Sequence, residues 1–336
     1  MLYRISAIFM PGSGVGLKVS EGEDSLTGSI NLVQPPPSPT SKIQTDRERD
    51  NLTLRPDALL SKLDFLAFDV ETTGLSAIAC RIVELSGVRF GPCIQSDGQF
   101  SRLINPGCAI PPEVSKIHGI SDEMVKDAQP ACEVLSDFLQ FSQGLIWMAH
   151  NAVFDVEFVK VELTRNKLPL PRTLVLDTLT LAQNVLYYRE HTPANYKLKT
   201  LSEFFGFAGD EYHRALSDSI YVEKLFNCLL ATGGIHTLGE LMATGAVKEF
   251  SEWLAPVCRE SLPAAIQEVL HTLEVAIEKE HELEIKYQGE YVYKRKIRPQ
   301  AVLESRGSLY LSAHCHKAKA ERTFRVDRIV EARTIK

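Results

Sequence analysis

Near residue 70 the chain places two carboxylates one residue apart at the end of an apolar run, Leu63-Asp64-Phe65-Leu66-Ala67-Phe68-Asp69-Val70-Glu71. Alternate side chains of a strand point to opposite faces, so Asp69 and Glu71 emerge on the same face of whatever sheet the run joins. Hard divalent cations take oxygen ligands, which makes this pair a candidate ligand set. If further carboxylates converge on the same strand end, their repulsion makes a metal-free arrangement electrostatically awkward.

Candidates lie far downstream. His150-Asn151-Ala152-Val153-Phe154-Asp155 and His213-Arg214-Ala215-Leu216-Ser217-Asp218 each set a histidine five residues before an aspartate, and His118-Gly119-Ile120 falls ahead of both. Each segment also has a plainer reading. Asp-x-Glu at a strand end is common. The first histidine segment is equally a helix start with Asn151 as cap and Phe154 and Phe158 in the core. The second is equally a solvated helix face, because an offset of five is not a neighbouring pair on a helix. His118 alone reads as a structural hydrogen-bonder. The combination, in this order, is what points to chemistry. Hydrolysing a phosphodiester requires activated water beside an anionic phosphate, which two divalent cations about 3.5–4 Å apart can provide. His213, with an ordinary pKa of about 6.5, is then the candidate general base.

The surrounding pattern is α/β. Strand-like runs at 65–70, 81–90 and 99–104 precede helical stretches at 122–125, 131–141, 155–166, 178–187, 199–205 and 215–231, with a short apolar strand at 145–149. A meander followed by alternating helices and a parallel strand predicts a three-layer domain over residues 58–231. Residues 1–57 carry Gly12, Gly14, Gly16 and Pro35-Pro36-Pro37-Ser38-Pro39, which predicts a flexible leader or an extended partner-binding tail. Residues 232–282 read as a helical connector with helices at 237–243, 247–253 and 262–282. Residues 283–336 return to short strands, among them 291–297 and 301–305, which predicts a small β-barrel. Seven cysteines without a Cys-x-x-Cys pair read as reduced thiols, and no run of about 18 apolar residues occurs, so a cytoplasmic protein without a membrane segment is expected.

On these residues the 58–231 region resembles the DEDDh 3′→5′ exonuclease family, which includes the DNA polymerase III epsilon subunit, ribonuclease T and oligoribonuclease. The motifs are Asp69-Val70-Glu71-Thr72-Thr73-Gly74-Leu75, the His150–Asp155 segment and the His213–Asp218 segment. A histidine five before the last aspartate, with Arg214 where the sister subfamily has tyrosine, marks the histidine subfamily. The resemblance implies a ribonuclease H-like fold and two Mg²⁺ or Mn²⁺ ions held by Asp69, Glu71, Asp155 and Asp218, with Asp69 bridging both. It implies that His213 activates water. It also implies a terminal-nucleotide pocket lined by Thr72, Thr73, His118, Asn151 and Phe154, and release of nucleoside 5′-monophosphates.

The C-terminal region resembles the WYL domain of bacterial regulators through Lys296-Ile297-Arg298-Pro299, Leu309-Tyr310-Leu311 and Arg322-Thr323-Phe324-Arg325-Val326-Asp327-Arg328-Ile329, with Leu309 replacing the name-giving tryptophan. From Tyr287 onward 12 Lys and Arg stand against 5 Asp and Glu, a net charge of +7 in a chain of −6. Such a tail is expected to hold polyanionic substrate or to sense a nucleic-acid ligand, with Arg298, Tyr310, Arg325 and Arg328 as candidate contacts. The expected function is proofreading or repair-type removal of single-stranded DNA 3′ ends, in contact with a polymerase or repair complex. RNA trimming and non-catalytic binding of nucleic-acid ends stand as alternatives.

Overall fold

The structure, a computed structural model, describes residues 54–94, 98–187, 189–207, 214–254 and 256–335. Its first part runs β1 (Phe65–Thr72), β2 (Ile82–Phe90), β3 (Gln99–Asn105), α1 (Pro112–His118), α2 (Asp122–Val125), β4 (Gln129–Pro130), α3 (Ala131–Phe141), β5 (Ile146–Ala149), α4 (Ala152–Arg165), β6 (Leu174–Asp177), α5 (Thr178–Leu186), α6 (Leu198–Phe204), α7 (Ala215–Gly233), α8 (Leu238–Ala243) and β7 (Val247–Glu249). Then follow α9 (Ala264–Glu278), β8 (Leu283–Gln288), β9 (Val292–Ser305), β10 (Ser308–Cys315), β11 (Ala320–Arg325) and β12 (Ile329–Thr334).

The first sheet has the order β4-β3-β2-β1-β5-β6-β7. β1 is central, antiparallel to β2 and parallel to β5. Alternation along β1 sends Leu66, Phe68 and Val70 into one core with α3 and α4, and Phe65 and Ala67 into a second core with α5, α6 and α7. The result is the expected three layers. It also fixes the face of the acidic pair: Asp69 and Glu71 share parity with Phe65 and Ala67, so they face α7.

The region expected as a helical connector is divided between the two halves. Val247–Trp253 is not a helix: β7 pairs antiparallel with β6, and Phe250–Glu252 forms a 3₁₀ turn. The spacing of Val247, Phe250 and Leu254 imitates a helical stripe, yet it serves a strand end followed by a turn that buries Phe250 beside Trp147. α9 packs Val269, Leu270 and Leu273 against the second sheet rather than bridging the halves. Residues 1–53 of the expected leader lie outside the described residues. Leu54 packs half-buried against the second core, and the segment is tied by the Gly239 amide, which donates to the Pro56 carbonyl at 2.7 Å.

The second sheet, order β11-β10-β9-β8-β12, is antiparallel throughout. Two strands expected at 291–297 and 301–305 are one, β9, which passes through Pro299. β8 pairs with β9 only as far as Ile297, so Pro299, without an N–H, falls where that edge is free, opposite a register shift in β10. Past this point β9 leaves the second sheet's core. Ala301 and Leu303 join the core of the first half beside Trp147 and Phe158, and α4 is thereby buried on nearly all sides. Its polar residues are paired accordingly. Ser305 donates to Glu157, Lys160 approaches Glu304 at 3.7 Å, and Glu162 takes both Arg81 and Arg165.

Candidate active site

β1 delivers Asp69 and Glu71 to the face covered by α7, whose first turn carries Asp218. One carboxylate oxygen from each of the three lies within 4.8 Å of the others. The start of α7 is anchored by Glu84, directly opposite Glu71 in the β1–β2 register. Its carboxylate, nearly inaccessible, accepts from the Ala215 amide at 3.2 Å and from Arg214 Nη2 at 3.0 Å and Nε at 3.3 Å. Asp218 follows three residues later, one turn along, on the side facing β1. The third motif contains Arg214 without giving it a role, and no motif includes Glu84. The available signal was a lone charge inside the apolar run Ile82-Val83-Glu84-Leu85.

Asp155 arrives from the opposite layer. It is buried in the first turn of α4, and its Oδ1 accepts from the Val70 amide at 3.2 Å, between the two β1 carboxylates. The turn before α4 is built around Asp177 at the end of β6. Asp177 Oδ1 accepts from the amides of Asn151 (2.8 Å), Ala152 (3.1 Å) and Leu179 (3.1 Å), while Oδ2 accepts from the Thr180 amide and hydroxyl. This tie holds Asn151 in the left-handed region (φ 66°), and Asn151 makes no side-chain cap of the kind the plainer reading assumed. His150 bridges Thr178 Oγ1 (3.0 Å) and the Tyr196 carbonyl (2.8 Å), and burial lowers its pKa.

The carboxylates repel one another. Burial first, then Asp155 and Asp218, pushes the Asp69 carboxyl well above the usual range. Burial, Asp218 and Glu84 push Glu71 up to about 8, against the opposing pull of Arg214. Burial raises Asp155 despite the hydrogen bond from Val70. An all-oxygen donor set, half-buried at Asp69, Glu71 and Asp218 and buried at Asp155, is the environment a hard divalent cation relieves.

The other expected contacts are distributed around this cluster. Thr72 and Thr73, both buried, have their hydroxyls engaged within the β1–β2 loop: Thr72 donates to the Gly74 carbonyl at 2.7 Å, and Thr73 accepts from the Arg81 amide at 3.0 Å. Phe154 is half-buried on α4, its ring 4.9 Å from that of Phe158. His118 ends α1, buried, with Nδ1 accepting from the Ile120 amide at 3.0 Å across Gly119, whose φ of 75° reverses the chain. His213 lies outside the described residues.

The four candidates in the C-terminal half are not gathered into one site. Arg298 pairs with Glu282 at 3.5 Å beside a cavity of about 680 Å³. Tyr310 and Arg325 line another of about 400 Å³, and Arg325 is held by Asp327. Arg328 is exposed in the 3₁₀ turn after β11. Leu309, in the tryptophan position, is buried in the core of the second sheet.

The Exonuclease family model matches residues 66–226, and the WYL domain model matches residues 268–334. The DNA polymerase III subunit epsilon of Treponema pallidum is 42% identical over 171 residues, 50% of this chain and 76% of that protein. The PolC-type DNA polymerase III of Caldanaerobacter subterraneus is 35% identical over 213 residues, 62% of this chain but 15% of that protein. Among solved structures, exonuclease X in complex with 5′-overhanging duplex DNA aligns with a TM-score of 0.40 at 26% identity, covering 55% of this chain and 99% of that one.

Proposed function

The chain belongs to the exonuclease family of DNA polymerase III subunit epsilon and carries a WYL domain, and we propose that it frees nucleoside 5′-monophosphates one at a time from single-stranded DNA 3′ ends in proofreading or repair. The observation that carries this reading is the convergence of Asp69, Glu71 and Asp218 on one strand end, with Asp155 bonded to the backbone between the first two. The donor set fits hard divalent cations, and Asp69, Glu71, Asp155 and Asp218 are assigned to hold two Mg²⁺ or Mn²⁺ ions. Such ions supply Lewis acidity to the attacking water and the departing 3′ oxygen.

The chain's own groups position and deprotonate. His213 accepts the proton of the water that attacks phosphorus as the bond to the 3′ oxygen breaks. Phe154 offers a ring face to the terminal base, a contact that tolerates any base. With their hydroxyls engaged, Thr72 and Thr73 hold the loop that forms the pocket edge, and Asn151, His118 and the Asp177 tie complete its frame. Since the relatives are a DNA polymerase III subunit epsilon and a PolC-type DNA polymerase III, a polymerase or repair complex is the proposed setting.

The test is a time course on matched 5′-labelled single-stranded DNA and RNA with Mg²⁺, Mn²⁺ or EDTA. The expected result is a metal-dependent ladder shortening from the 3′ end, faster on DNA, abolished by Asp69→Ala and reduced about 10²–10⁴-fold by His213→Ala. Faster shortening of RNA would replace DNA with RNA as the substrate. Strands bound but left intact would replace catalysis with end recognition.

A further inference from the structure

The cations of the C-terminal half fall into two groups. Lys286, Lys294, Arg298, Arg325 and Arg333 each have a carboxylate partner. Lys296, Lys319, Arg328, Arg295, Lys317 and Arg322 have none within ion-pairing distance among the described residues, and the last three surround one cavity of about 500 Å³ whose other walls include Tyr287, Tyr293 and Phe324. The aromatic rings form a continuous patch, with Tyr287 5.7 Å from Tyr293 and 5.2 Å from Phe324. The Arg295 guanidinium lies 4.5 Å from the Tyr293 ring centroid. Uncompensated cations interleaved with ring faces are what successive phosphates and bases of a single strand require.

This face leads toward the first half. Tyr287 and Thr323 line both this cavity and the one of about 400 Å³ at the junction of the two halves. The junction cavity is walled on its other side by Leu75 and Ser76, the residues that follow Thr72-Thr73-Gly74, and by Glu157. Glu157 lies three positions after Phe154 on α4, so the two occupy neighbouring places on one helix face. Leu75 is 82% exposed, an apolar side chain at the mouth of the cleft. The loop it belongs to is braced from both halves: the Thr323 hydroxyl of the second sheet donates to the Ile78 carbonyl at 3.2 Å, and Arg165 of α4 donates to the carbonyls of Ile78 and Cys80.

We infer that the strand upstream of the terminal nucleotide runs through the junction cleft past Leu75 and Tyr310 onto this face, its phosphates on Arg295, Lys317 and Arg322 and its bases against Tyr287 and Tyr293. The inference rests on the exonuclease reading for the position of the 3′ end. It makes the second half a subsite for substrate length rather than for the reaction itself.

The experiment uses the full chain with Arg295→Ala, Lys317→Ala and Arg322→Ala combined, Lys317 and Arg322 being exposed and Arg295 half-buried. Turnover of a p-nitrophenyl ester of thymidine 5′-monophosphate and of a dinucleotide reads the carboxylate site alone, and both are expected to be unchanged. Binding of a fluorescent strand of about 15 nucleotides in EDTA reads the track. Three lost phosphate contacts should reduce the slope of log affinity against log salt by about 2. Between 50 and 200 mM salt the wild type should therefore lose roughly 20-fold more affinity than the variant. An unchanged slope overturns the track. A free nucleoside monophosphate displacing the fluorescent strand as well as unlabelled strand does would assign the face to a small nucleotide, and also overturns it. If the wild type turns over neither the ester nor the dinucleotide, the exonuclease reading fails, while the salt slope still decides whether a strand lies on this face.

Discussion

Leu303→Ala tests whether the two halves are one cooperative structure. Leu303 belongs by sequence to the second sheet's longest strand, yet it is fully buried in the first half's core with Trp147 and Phe158. Removing three carbons forfeits about 2.4 kcal/mol of transfer free energy at roughly 0.8 kcal/mol each. α4, which β9 covers, is itself packed against β1, β5 and β6, so the gap collapses poorly and a cavity cost adds to this. A total of about 3 kcal/mol is expected, within the roughly 2–5 kcal/mol span for buried Leu→Ala. At roughly 2–4 °C per kcal/mol for a large domain, Tm should fall by about 6–12 °C. Scanning calorimetry is the assay, and the variant should keep a single transition. Two transitions, with the one belonging to the first half where the wild type unfolds, would refute the argument that β9 joins the two cores.

The raised pKa of Glu71, about 8, makes metal-free stability depend on pH. Between the ordinary carboxylate range and about 8 the folded state holds more protons than the unfolded one, so stability declines as pH rises through that window, by at most about 1.4 kcal/mol per pH unit for this group. Added Mg²⁺ should therefore raise Tm more at pH 8 than at pH 5, and a shift independent of pH would contradict the clustering of the carboxylates. Asp177→Ala leaves four amides and a hydroxyl without their acceptor at the starts of α4 and α5; a loss of about 3 kcal/mol in urea unfolding is expected, together with slower turnover from a displaced Phe154 and Asp155. Glu84→Gln keeps the shape of the α7 anchor but removes a like charge beside Glu71, so Mg²⁺ titrated by calorimetry should bind more weakly, and equal affinity would remove Glu84 from the site.

The acidic site was legible where chemistry repeats with a short period. Asp69 and Glu71 could be assigned to one face because alternation needs only the strand itself. That Asp218 meets them follows from parity along β1, which selects α7 over α4 once the sheet order is known, and sequence alone does not supply that order. Glu84 stayed hidden because its partners are 130 residues away or more, and a single buried charge has no period. β7 was misread because three apolar residues spaced three and four apart suit a helix as well as a strand followed by a turn. β9 was read as two strands since Pro299 ordinarily ends one, and the edge that tolerates it is created by where β8 stops.

The sharing of β9 also bears on the order in which the chain is made. Every strand of the seven-stranded sheet has left the ribosome by Glu249, but Leu303 follows 54 residues later. At roughly 5–20 residues per second the delay is on the order of seconds, long compared with collapse of the sheet. During that interval the face of α4 bearing Glu157 and Lys160 awaits its partners Ser305 and Glu304, although the aspartate at its first turn already belongs to the catalytic candidates. A nascent chain is thus expected to hold a recognisable sheet before it holds a finished acidic site, which delays nuclease activity until synthesis has passed the second half's central strand.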